Sequence, residues 1–301
     1  MKTIRLATRG SDLALAQTRE VARLLCAAHP ELQVTEVLIR TTGDRDKESD
    51  LAKAAEPGVF TKELEAALLD GRADAAVHSL KDLPTVLPDG LKLAAILPRA
   101  DSSDMLVSAQ PGGLEALASG ARVGTGSPRR KAMLLAARDD VSAVPIRGNV
   151  PTRLAKLAAG EYDAIILAAA GLARLGHPVS GAMTFEGTTL EVTKLYSFLP
   201  APGQGAVAIE IRADDAEVSA AVSALHDAPT DAEVRAEREV LRASGGGCHM
   251  ALGALAHLVG DELHLEAVVF DGEGNAPRHA SARGKNAEAL GREVAAKLYG
   301  N

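Results

Sequence analysis

Gly245-Gly246-Gly247-Cys248 carries the chain's most distinctive thiol. Glycine has no Cβ and reaches φ > 0 at little cost, so a cysteine behind such a run sits on an open, compliant loop. Two readings fit the stretch by itself: a helix C-cap followed by a small buried residue, or an exposed, reactive thiol. Six arginines form a second set: Arg9, Arg129, Arg130, Arg147, Arg153 and Arg174. Each falls in or just after a strand-to-helix turn, with no obvious neutralising neighbour. Guanidinium forks match carboxylates and phosphates bidentately. Lys81-Asp82 is the third feature. A carboxylate among cations can steer proton transfer or stabilise a developing positive charge, although a helix-entry or surface ion-pair residue reads the same way.

The elements that must position these groups alternate strand and helix. Ile4, Leu6 and Thr8 alternate as a strand ending at Arg9, and Ser11 is placed to cap a helix running to Ala28. Arg9, Ser11 and the helix N-terminus then face one place, a geometry that favours an anion. A strand over 33–41, a long polar loop over 42–58, a helix from Phe60, and strands at 73–77 and 91–97 follow. The pattern restarts after Pro98, with strands at 105–108, 122–124, 141–146 and 163–167, three of them leading into arginine-bearing turns. Such alternation predicts mostly parallel sheets with ligand loops at the strand C-termini.

The stretch 200–206 breaks the pattern, and the strand 207–211 is expected to return to the first sheet, so that two segments link two lobes. Helices and hairpin strands after about Asp214 form a different, α+β unit. The expected architecture is therefore α/β: two doubly wound lobes like those of periplasmic binding proteins, joined by a two-segment hinge, plus a small C-terminal α+β domain. The expected boundaries are 1–98 with 199–217 for lobe 1, 99–198 for lobe 2, and 218–301 for the C-terminal domain.

Composition narrows the partners. Only 2% of residues are aromatic and the net charge is -7, which argues against stacking on bases or coating a polyanion. No apolar run is long enough to span a membrane, and no secretory h-region opens the chain. Two cysteines lack metal-ligand spacing, and Cys26 reads as a filler on its helix. No phosphate-binding Gly-x-x-x-x-Gly-Lys loop occurs, and Gly124-Thr125-Gly126 lacks the third dinucleotide-loop glycine. The expectation is a cytoplasmic, monomeric protein whose basic cleft takes a small polyanion, without metal, membrane or nucleic acid.

Seven stretches, in order, resemble the porphobilinogen deaminase (hydroxymethylbilane synthase) family: 6–11, 77–84, 123–130, 146–154, 162–168, 202–206 and 246–248. The resemblance implies a transferase that joins porphobilinogen units into linear hydroxymethylbilane on a covalent dipyrromethane primer. It puts the primer's thioether on Cys248 and the catalytic carboxylate on Asp82. Cofactor contacts fall on Lys81, Asp82, Ser127, Arg129, Arg130 and Arg147. Substrate contacts fall on Arg9, Ser11, Gln17, Phe60, Arg147, Arg153 and Arg174. The chain departs from the family pattern at Ala55-Glu56-Pro57, Gly126 and His249-Met250. The competing class is a non-catalytic two-lobed anion-binding protein; a thiol hydrolase lacks a triad around Cys248. Intact mass separates them. The purified chain should exceed its sequence mass by one dipyrromethane, carried on Cys248, and an active, unmodified protein would refute the tether.

Overall fold

The computed structural model describes residues 2–40, 61–245, 250–270 and 276–300. The expected loop 42–58, Phe60, Cys248 and His249 lie outside the described residues. In chain order the first elements are β1 (Thr3–Thr8), α1 (Asp12–Ala28), β2 (Gln33–Leu38), α2 (Lys62–Leu69), β3 (Ala75–Ser79) and β4 (Leu91–Ile96). Then come β5 (Asp104–Ser108), β6 (Arg122–Gly124), α3 (Pro128–Ala137), β7 (Ser142–Val144), α4 (Val150–Ala158), β8 (Ala164–Ala168), α5 (Ala169–Arg174), β9 (Gly181–Phe185) and β10 (Thr188–Lys194). The chain ends with β11 (Val207–Arg212), α6 (Ala216–Ser223), α7 (Ala228–Ala243), β12 (Ala251–Val259), β13 (Glu262–Phe270), β14 (Arg278–Gly284) and α8 (Ala287–Tyr299).

The first lobe is a five-stranded sheet of order β2-β1-β3-β11-β4. β1 runs parallel to β2 and β3, while β11 is antiparallel to both its neighbours. Ile4 and Leu6 point to the α1 side, where Val21 and Leu25 meet them; Ala7 points to the other side, against Leu64 and Leu68 of α2. The second sheet, β7-β6-β8-β5-β10-β9, has parallel β7, β6 and β8, with β5 antiparallel to β8 and to β10. Each lobe thus has a parallel set broken by the strand on which the chain enters from the other lobe. The hairpin β9–β10 adds an antiparallel edge that the sequence reading did not foresee. Its two-residue turn has positive φ at Glu186 as well as Gly187, and glutamate is a poor signal for such a turn.

Val218 and Val222 of α6 are buried in the first lobe's core. The C-terminal domain is an antiparallel sheet, β12-β13-β14, with α7 and α8 packed on one face. Strand alternation sends Val269 into that core and Val268 onto lobe 2, beside Met133 and Leu134. At the docking point a Cβ on Gly253 would stand 2.8 Å from the Leu199 carbonyl oxygen, so only glycine admits this approach.

Two segments, 97–103 and 195–206, cross between the lobes side by side. Leu97 N–H donates to the Val207 carbonyl (3.0 Å), Ala100 N–H to that of Gly205 (3.3 Å), and Arg99 Nε to that of Gln204 (2.9 Å). Gly205 has φ +92°, and a Cβ there would meet the Ala100 oxygen at 2.5 Å. Glu237 of α7, fully buried, binds this crossing to the C-terminal domain. Its carboxylate accepts from Arg99 Nη1 (2.6 Å) and Nη2 (3.0 Å), Gly203 N–H (2.7 Å) and Ala256 N–H (2.9 Å). Removing one member of a buried charge pair leaves the other desolvated and alone. Glu237→Ala should therefore cost about 3–5 kcal/mol of stability in urea unfolding. A loss under about 1 kcal/mol, the range of an exposed pair, would show that the junction does not depend on it.

Candidate functional site

β3 runs into a single 3-10 turn, Leu80–Asp82, that presents Asp82 to solvent. The turn is held from three sides. Leu80 is buried, and its N–H donates to the Ala206 carbonyl (3.0 Å) in the second crossing segment. Arg238 of α7 donates to the carbonyls of Leu80 (3.3 Å), Leu83 (3.1 Å) and Pro84 (2.6 Å). Gln17 of α1 and Ser79 exchange hydrogen bonds of 2.9 and 3.1 Å, fixing the end of β3 to that helix.

Asp82 shares one cleft with Arg9, Ser11, Gln17 and Ser79. Ser11 caps α1 as expected, its Oγ accepting from Ala14 N–H at 3.4 Å. Four of the expected residues thus converge where a strand end and a helix N-terminus meet. Behind them the His78 ring stands 3.0 Å from the Glu210 carboxylate, both deep in the lobe. Across the cleft, Arg153 on α4 is half-buried and donates to the Gly148 carbonyl (2.8 Å). Desolvation and then Arg130 lower its pKa, while Asp82 opposes them, so Arg153 lies within electrostatic reach of both. Arg147 is exposed in the loop before α4, whose N-cap is Asn149.

Arg129 and Arg130 lie differently from the expectation. They occupy the first turn of α3, capped by Ser127, and are only 3% and 6% exposed. Asp104, fully buried at the start of β5, neutralises part of their charge. Arg129 Nη1 donates to Oδ2 (2.7 Å), and Arg130 donates through Nε (3.0 Å) and Nη2 (2.7 Å) to Oδ1. Arg129 also donates to the Leu199 carbonyl (2.6 Å) and Arg130 to that of Ile166 (2.9 Å). Arg174 is committed as well: it pairs with Glu20 of α1 (3.5 Å) and donates to the Gly205 carbonyl (3.0 Å), tying lobe 2 to lobe 1. The reading of these three arginines as cations without a neutralising partner is therefore corrected.

Burial pushes the Asp104 pKa up, but the charges and hydrogen bonds of Arg130 and Arg129 outweigh it, and the net shift is down. Lys81 is half-buried, with Nζ 3.2 Å from Gln204 Oε1. Desolvation, then Arg130, pushes its pKa down to about 8, with Asp82 and Asp104 holding it up in part. Asp104 thus balances only part of Lys81, Arg129 and Arg130, and the surplus is positive. That donor set fits a ligand rich in carboxylates, as a dipyrromethane with its acid arms is. Among the described residues no cluster of side chains can hold a metal. Gly245 has φ +67° just past α7, so the first of the three glycines closes that helix.

The sequence reading passed over Asp104, Gln204 and Arg238. Asp104 follows two serines in a stretch read only as a strand entry, and its partners lie far along the chain.

Two family models match: "Porphobilinogen deaminase, dipyromethane cofactor binding domain" over residues 4–220 and "Porphobilinogen deaminase, C-terminal domain" over 232–300. Curated relatives named porphobilinogen deaminase include that of Moorella thermoacetica, 47% identical over 99% of this chain and 93% of that protein. Another is that of Xanthomonas axonopodis pv. citri, 46% identical over 99% and 96%. Similar solved structures include the periplasmic VFT2 domain of BvgS from Bordetella pertussis, with a TM-score of 0.43 at 15% identity over 76% of this chain and 89% of that one.

The Asp104 cluster makes a pH prediction. Its folded pKa is depressed below the unfolded value of about 3.9, so its contribution is complete above that pH and is lost on acidification through the folded value. Asp104→Asn should be less stable than wild type at neutral pH, and the gap should shrink below about pH 4. A gap in urea midpoint that does not change with pH would mean the carboxylate charge is not what holds the arginines.

Proposed function

This chain belongs to the porphobilinogen deaminase family, and from that premise we propose how its own residues divide the work. The reaction joins porphobilinogen molecules head to tail, releasing ammonia, into the linear tetrapyrrole hydroxymethylbilane of porphyrin and heme biosynthesis. Curated relatives such as those of Moorella thermoacetica and Xanthomonas axonopodis support the deaminase reading over that of a non-catalytic binding protein.

Asp82 is the catalytic carboxylate. The observation that carries this assignment is its exposed position on a turn pinned by both the crossing segment and Arg238, in one cleft with Arg9, Ser11 and Gln17. When porphobilinogen loses ammonia, its aminomethyl C–N bond breaks and a cationic methylene-pyrrole remains. A carboxylate beside the pyrrole nitrogen stabilises that cation and takes up the ring proton released after carbon–carbon bond formation. Arg9, Ser11, Gln17, Arg147, Arg153, Arg174 and Phe60 bind the acid arms and ring of the substrate. Lys81, Asp82, Ser127, Arg129, Arg130 and Arg147 hold the dipyrromethane, which supplies the nucleophilic ring carbon on which the chain grows and is anchored through Cys248. Arg129 and Arg130 do this from within the Asp104 cluster, as preset charges that need no reorganisation.

We infer that the chain works as a monomer, with the described cleft lined by residues of its first lobe. We place it in the cytoplasm; Cys26, free and exposed, suits a reducing compartment. Among the described residues no helix is long and apolar enough to cross a membrane.

Asp82→Asn tests the assignment. It should keep the covalent primer by intact mass yet lose about 10²–10⁴-fold in turnover, the range for a proton-handling group. A rate near wild type would remove Asp82 from the chemistry.

A further inference from the structure

We propose that Gln204 is a positioning residue that couples the angle between the two lobes to Lys81 and thereby to the Asp82 turn. The proposal rests on the reading of that turn as the reaction site. Gln204 lies in the second crossing segment and is 1% exposed. Its one side-chain amide reaches three parts of the molecule. Oε1 accepts from Lys81 Nζ (3.2 Å) in lobe 1. Nε2 donates to the Ser102 carbonyl (2.6 Å) in the first crossing segment and to Asp104 Oδ1 (2.9 Å) in lobe 2.

The chemistry of the residue fits the task. A carboxylate at this position has no proton for Asp104, and an ammonium or guanidinium has no acceptor for Lys81. The carboxamide does both in one planar unit, so moving either lobe pulls on both bonds. Its backbone is equally constrained. Arg99 Nε holds its carbonyl oxygen (2.9 Å), and Glu237 accepts from the Gly203 N–H before it (2.7 Å). A Cβ on Gly203 would come within 3.0 Å of Leu80, which leads the Asp82 turn. The charged groups around the amide are Lys81, Asp104, Arg129, Arg130, Arg99 and Glu237. A wrongly charged replacement is therefore costly, and a neutral bridge keeps the cation and the anion in register.

The test uses the holoenzyme with Gln204→Met, which keeps the volume and removes both bonds, and Gln204→Glu, which keeps the acceptor and removes the donor. A protonated glutamic acid regains the donor. Relative to wild type at the same pH, Gln204→Met should lose about tenfold or more in kcat with a smaller change in KM, the equivalent of one buried hydrogen bond or more. Its loss should be the same from pH 6 to about pH 7, where Lys81, with a pKa of about 8, stays charged. Gln204→Glu should match Gln204→Met near pH 8.5 and recover about tenfold towards pH 6, as the carboxyl takes up a proton. Amide hydrogen exchange in 97–104 and 200–207 supplies a readout apart from activity. It should quicken in Gln204→Met and in Gln204→Glu at high pH, and return towards wild type for Gln204→Glu at low pH.

Rates within about twofold of wild type for both variants, or rate ratios that run parallel with pH, would overturn the coupling. Rescue by Gln204→Glu at every pH would reduce Gln204 to an anchor for Lys81 and also overturn it. If Gln204→Met does not fold, the pH course of Gln204→Glu decides alone, since a packing defect has no reason to reverse with a proton. An inactive Asp82→Asn beside flat Gln204 ratios means that only the coupling is wrong. An active Asp82→Asn means that the reading of the turn is wrong, and hydrogen exchange still judges the bridge.

Discussion

A carboxylate with no exposed surface stays charged only if cations surround it, and Asp104 stays charged because Arg129 and Arg130 both close on it. Much of the cleft follows from that one requirement. The arginines come from the first turn of α3, so the helix must enter beside β5. Gln204 reaches the same carboxylate from the crossing segment, and Lys81 reaches Gln204 from the other lobe. Because Asp104 cannot balance Lys81 and both arginines, the cluster keeps an excess of positive charge behind the cleft of a protein whose net charge is -7. Such a surplus suits an acidic ligand, and it lets a cationic cluster sit inside an acidic chain.

The local parts of this arrangement were legible in the residues. Ile4 and Leu6 alternate into a capped helix, and with them the placement of Arg9 and Ser11 could be read. The return of the strand at 207–212 to the first sheet could be read from the Pro/Gly break before it. What could not be read is long-range pairing. Arg129 and Arg130 carry the same sequence signature whether they face solvent or an aspartate on another strand. Gln204 sits in a stretch whose prolines and glycines announce a turn and conceal an amide that three regions need. Glu237 and Arg238 look like two more charges on a charged helix.

Those last two residues explain why the C-terminal domain belongs to the site at all. Neighbours on α7, they serve different contacts: Glu237 gathers the crossing segments, and Arg238 gathers the carbonyls around Asp82. That helix is thereby registered against both the crossing segments and the turn that carries Asp82.

The position of β11 has a consequence for how the molecule is made. That strand lies between β3 and β4, yet the ribosome produces it only after every strand of the second sheet. Until Arg212 has emerged, β3 and β4 each present a bare backbone edge of the kind that recruits foreign strands. The lobe begun first is thus completed second, and the later lobe can close its sheet while the earlier one waits. The nascent chain is most exposed to mispairing between the synthesis of Ile96 and Arg212, a window set by topology and not by the stability of the finished enzyme.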